Sequence, residues 1–280
     1  MQTATLRTVF FSVLASASLL LASCNKASDA TPEDTISAED SGAADDENAT
    51  TGDLMRAASP ADVTQSGSPA AEPADLARIL SPCAIRTYDA ATRTLTIDFG
   101  PTNCVGPNGR ARRGKLVFVF SGPYRQVGAV VTITPVNYYV NDNLHTGTRI
   151  ITDMGDGSYS LNVQNASVTT PNGVHSWSAQ RTFTRLSGGA TRTILDDEFN
   201  ITGSATGTNR RGVSYTATIQ QPLHKVFTPG CSRHFVSGTI SFVNARQQSL
   251  LLNYDPSGTA ACDNIATVTI NGRTRTITLR

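Results

Sequence analysis

Across residues 79–280 apolar and polar positions alternate with a period of two. Tyr159, Leu161 and Val163 form one such set, Val213, Tyr215, Ala217 and Ile219 a second, and Val268 and Ile270 a third. Alternation of this kind marks strands with one buried and one wet face. Between the sets stand Asn108-Gly109, Asp156-Gly157, Asn172-Gly173 and Asn271-Gly272, dipeptides that supply the positive φ of tight hairpins. The segment ATVTINGRTRTITL, residues 266–279, is the clearest hairpin. A helical repeat is confined to about one turn around ADLARIL. The pattern predicts an all-β fold, an antiparallel meander of long strands forming a sandwich or an open barrel.

The region before residue 79 has a different pattern. Arg7 is followed by an apolar stretch from about Val9 to Ala22, shorter than the roughly 20 residues a spanning helix needs but suited to a secretory signal. Leu21-Ala22-Ser23-Cys24 resembles the lipobox of bacterial lipoproteins. That resemblance implies a signal peptide over 1–23 and acylation of Cys24 as the first mature residue, which would anchor the chain to a membrane through its lipid. From Asn25 to about Arg78 the chain is rich in Ala, Ser, Thr, Asp, Glu and Pro, without periodicity. Residues 24–78 are therefore expected to form a disordered tether, and residues 79–280 a single β-rich domain. Asp34-Thr35-Ile36 within the tether resembles an O-glycosylation motif of Gram-negative envelopes.

Charge divides along the same boundary. The tract 25–78 holds 12 of the 22 acidic residues and three basic ones, leaving residues 79–280 at about +9. A basic domain points to an anionic partner, for which the acidic tether would compete. The candidate contact is NGRARRGK, where Arg110, Arg112, Arg113 and Lys115 lie in or beside a turn and guanidinium forks can grip carboxylates or phosphates. Arg273 and Arg275 occupy the corresponding place in a second, echoing segment. LTIDFGPTNC at 95–104 echoes LLLNYDPSGTAAC at 250–262, and each copy is preceded by one further cysteine. Apart from Cys24 four cysteines remain, which allow three pairings. The echo favours Cys83 with Cys104 and Cys231 with Cys262, as structural disulfides of an exported protein.

Catalytic signatures are lacking. GSATG at 203–207 has its serine in the wrong place for a nucleophile elbow. His145, His175, His224 and His234 are scattered without zinc spacing. Glu198 beside Asp196 and Asp197, and the segment DMGDGS, fit turn chemistry better than calcium loops. The chain is thus expected to be no enzyme and to use no cofactor or metal. Trp177 shares a strand face with His175, Ala179 and Phe183 and reads as core, and Tyr138 and Tyr139 must point to opposite faces.

The lipobox, the acidic spacer, CVGPNGRARRGKLVFVF and the closing CDNIATVTINGRTRTITL together resemble a group of uncharacterised lipoproteins of Bacteroidota-type Gram-negative bacteria. That resemblance implies an outer-membrane location, lipid-anchored on the periplasmic or cell-surface face, and supplies no activity to carry over. The expected function is a non-catalytic envelope lipoprotein whose basic domain binds an anionic glycan, a lipid headgroup or an envelope protein. The alternative is a scaffolding component, with an enzyme last. Nucleic acid is not an expected partner of an exported, anchored protein.

Overall fold

The computed structural model describes residues 32–61, 64, 73–107, 109–227, 231, 234–245 and 247–279. The expected signal peptide over 1–23, the expected lipidation site Cys24 and Asn108 lie outside them. Two helices, α1 (Pro32–Ala58) and α2 (Pro73–Ile79), precede fourteen strands among the described residues. The strands are β1 (Ile85–Asp89), β2 (Thr94–Asp98), β3 (Cys104–Val105), β4 (Ala111–Phe120), β5 (Val130–Val140), β6 (Asn143–Gly155) and β7 (Ser158–Thr170). They continue with β8 (Gly173–Ser187), β9 (Glu198–Thr208), β10 (Ser214–Lys225), β11 (Ser237–Asn244), β12 (Ser249–Asn253), β13 (Ile265–Ile270) and β14 (Arg273–Thr278).

All belong to one antiparallel sheet in which sequence neighbours are spatial neighbours, except that β2 and β3 both pair with β4. The sheet is open, with β1 and β14 at its ends. The expected meander is present as one layer rather than two packed ones. Its hairpins follow from turn chemistry: Asp156-Gly157 and Asn271-Gly272 place both central residues at positive φ, the twist-matched arrangement for a two-residue loop. The β5–β6 turn does the same with Asn141 and Asp142, a pair that tolerates the left-handed region less freely than glycine. At Gly114 a bulge interrupts the β4–β5 register, and a Cβ there would lie 1.9 Å from the Asn137 carbonyl oxygen.

The tether expectation is corrected over Pro32–Ala58, which forms a 27-residue helix inside the sheet. Proline at the first helical position suits a helix start. Almost every described side chain of α1 is buried; Glu39, Ala43 and Thr50 retain exposure. Gly42 lies against Leu279 and Tyr254, Gly52 against Tyr159, so the sheet approaches the helix from strands far apart in its order. A curled sheet of about eight strands can be filled by side chains alone, whereas wider ones leave a lumen. A helix, roughly 10–12 Å across, fills that space here. At its far end Arg86 Nε–H on β1 donates to the Ala58 carbonyl at 2.6 Å, a cation on the negative end of the helix.

Both expected disulfides are formed. Cys83 joins Cys104 with a Cα–Cα distance of 5.9 Å, and Cys231 joins Cys262 at 4.5 Å. The short α2, the helical turn anticipated at ADLARIL, is held by Asp75, whose carboxylate accepts from Thr193 Oγ1 and the Ile194 backbone N–H at 2.8 Å each. Trp177 is core, as its strand position implies, and Tyr138 is buried while Tyr139 is half-exposed.

Candidate functional site inside the sheet

Strand alternation aims one face of each strand at α1, and that face carries charge among its apolar residues. On β8 the inward series His175, Trp177, Ala179, Arg181 and Phe183 is buried throughout. Arg181 meets Asp45 of the helix through two hydrogen bonds of 3.1 Å. His234 Nδ1–H donates to Asp46 at 2.8 Å. Lower on the helix Lys225 Nζ lies 3.1 Å from Asp53, which also accepts from Arg56 at 3.1 Å; Arg56 continues to Asp197 at 2.5 Å. At the opposite end Arg210 binds Asp40 and, at 2.6 Å, Glu39, while its backbone N–H donates to Asp40 at 2.8 Å.

The densest cluster surrounds Glu47. Its carboxylate accepts from Arg110 Nη1 at 3.1 Å and from the Tyr138 hydroxyl at 3.0 Å, and Arg112 Nε–H donates to that hydroxyl at 3.1 Å. Arg149 Nε–H donates to Asn48 at 2.9 Å. Burial alone would raise the Glu47 pKa, but Arg112 and Arg110 outweigh it and hold the carboxyl below its usual range. His145 stands beside this cluster, and burial, with Arg149, Arg110 and Arg112, pushes its pKa down to about 4. His175 is pushed to about 3 by burial and by Arg210; it stacks on Trp177 at 4.7 Å and shares a 2.7 Å hydrogen bond with the Tyr215 hydroxyl. Both imidazoles are therefore neutral at pH 7.

These positions revise the proposed surface cluster. Arg110 and Arg112 are 4% and 1% exposed and turn inward to the chain's own helix, because the alternation of β4 puts Arg112 on the same face as Leu116 and Phe118. Arg113 pairs with Asp142, accepts the Tyr139 ring beneath its guanidinium at 3.8 Å and donates to Asn103 at 3.0 Å. Lys115 pairs with Asp98 at 2.8 Å. Arg273 and Arg275 lie on β14 at the sheet's end, not beside β4. The six residues thus form no contiguous exposed patch. Arg149, Arg181 and Lys225, to which no motif pointed, form the charged interior with Arg110, Arg112, His145 and His234.

Outside, the sheet has another character. The register aligns Thr146, Ser167, Ser176, Thr208 and Ser214 across β6 to β10, followed by Ser178, Thr206 and Thr216 on β8 to β10. An open trough of about 700 Å³ lies over these rows from Ser167 on β7 to Ser214 and Thr216 on β10, flanked by Asn165, Asn244 and Gln247. On the inner side a cavity of about 370 Å³ separates Glu39, Ala43 and Glu47 of the helix from His145 and His175 of the sheet and Arg210 of the β9–β10 loop. Among the described residues no helix is long and apolar enough to cross a membrane.

The chain matches no protein-family model, no curated protein and no solved structure.

Proposed function

We propose that this chain is a non-catalytic binding protein of the cell envelope, anchored to the outer membrane through a lipidated Cys24, whose outer sheet face docks a neutral glycan. The observation that carries this reading is the uncharged hydroxyl floor of the trough across β7 to β10. Hydroxyl and amide groups both donate and accept hydrogen bonds, so such a floor can match sugar hydroxyls in either sense. An anionic polymer would find no counter-charge in those rows, since Arg110 and Arg112 serve the helix instead. The outward hydroxyls also differ from the apolar band that a membrane-spanning barrel turns to lipid, which supports a domain standing outside the bilayer. The lipobox resemblance and the two disulfides support a place outside the reducing cytoplasm.

Co-sedimentation of the whole protein with insoluble neutral and acidic polysaccharides tests the reading. Binding to a neutral polymer is expected, weakened about tenfold or more by Ser178→Glu and Thr206→Glu, a loss of roughly 1.4 kcal/mol. Both substitutions point outward, so circular dichroism should be unchanged. Binding confined to acidic polymers, or unaffected by the two charges, would sink the reading.

A further inference from the structure

We propose that Lys225 and Asp53 condense into a covalent side-chain amide that locks α1 inside the sheet. The inference is independent of the outer-face reading, because both residues lie in the interior.

The first ground is the choice of cation. Among the described residues, the other cations that strands and loops offer to the carboxylates of α1 are the guanidinium and imidazole groups of Arg110, Arg181, Arg210 and His234. Acyl derivatives of those groups hydrolyse readily. Lys225 on β10 is the exception, and it stands where an arginine, whose cation is more weakly hydrated, would be less costly to bury. Of the two described lysines, Lys115 is exposed, whereas Lys225 is only 3% exposed. An amine differs from a guanidinium in forming a stable amide with a carboxyl group.

The second ground is the geometry. Lys225 Nζ lies 3.1 Å from Asp53 Oδ2, so it is at most one C–O bond further from Cγ, near the roughly 3–3.5 Å of a productive approach. Asp53 is 4% exposed, and the Phe227 ring centroid lies 4.6 Å from Nζ, so water has little access to reverse the reaction. Arg56 Nη2 donates to Asp53 Oδ1 at 3.1 Å, the oxygen on which negative charge develops during attack. One proton passes from Nζ to Oδ2, giving a neutral amine and a neutral acid. The nitrogen then bonds to Cγ, a second proton follows to Oδ2, and the Cγ–Oδ2 bond breaks. Ammonium and carboxylate thus become one amide and one water, with no other reactant. The product removes one charge of each sign from the interior, where an ion pair is costly to hold, and Arg56 keeps its contact with Asp197.

Intact-mass measurement of the whole protein under reducing conditions, beside a Lys225→Arg variant, tests this. Once the two side chains are accounted for, the original chain should be lighter than the variant by one water, and comparing the pair cancels the mass of any lipid. A tryptic digest of the original chain should lose cleavage after Lys225 and yield one branched peptide joining the segments around Asp53 and Lys225. That digest decides the matter even where the variant fails to fold. A linear Asp53 peptide together with cleavage after Lys225, or a lost water that maps to Asp156-Gly157 as a succinimide, would overturn the proposal.

Discussion

Arg181 enters the interior between Ala179 and Phe183, where it forms a two-bond fork with the Asp45 carboxylate. Removing one partner leaves the other charge stranded, so Arg181→Ala or Asp45→Ala should each cost about 3–5 kcal/mol. Replacing both with leucine should cost less than the two single losses together, and urea denaturation of the four proteins measures the difference. The buried imidazoles make a second residue-level prediction. His145 and His175, ordinarily near 6.5, have folded values of about 4 and about 3. As pH falls below 6.5 the unfolded chain takes up protons that the folded one refuses, so stability is lost toward those folded values. Each imidazole should contribute a loss of about 2 kcal/mol between about pH 7.5 and about pH 5. Asp40 and Asp197, whose pKa values burial raises, act in the opposite sense. The readout is therefore the flattening of the pH profile by His145→Gln and His175→Gln, and an unaltered slope would contradict the assignment. The inward charges were partly readable from the sequence: period-two alternation puts Arg181 in register with Trp177 and Phe183, an apolar face interrupted by a cation.

At the scale of elements, the strands and hairpins announced themselves because alternation and Asn-Gly or Asp-Gly turns are local signals. The helix did not. A buried element ringed by ion pairs shows no apolar stripe, and eight carboxylates with one arginine over Pro32–Ala58 resemble a solvated spacer. The readable trace was global: an acidic segment joined to a domain of opposite charge, which fits a chain that folds onto itself. The Cys83–Cys104 and Cys231–Cys262 pairing was readable because each bridge closes within its own echoing segment. If α1 is the filling of the sheet, a chain beginning at residue 79 should not fold as a separate domain. It should retain β-rich far-UV circular dichroism while losing near-UV signal and binding a hydrophobic dye. Native-like near-UV signal and cooperative melting of that chain would show that the helix is dispensable.

For the whole molecule, an open sheet must live with two ends. At one of them β14 carries Arg273 and Arg275, and charged side chains on an edge discourage pairing with another chain. Replacing both with isoleucine should produce concentration-dependent association detectable by light scattering, while the original protein does not gain mass under the same conditions. The placement of α1 also changes how far the molecule can reach. Were residues 25–78 all spacer, the sheet could roam well over 100 Å from its anchor. With the helix drawn inside, only seven residues separate Cys24 from Pro32, a leash that cannot exceed about 30 Å. On a lipidated Cys24, the protein would sit close over the bilayer with the helix-entry end, near Arg210, held toward the lipid headgroups. It would then act on what lies within a few nanometres of that surface and not on distant targets.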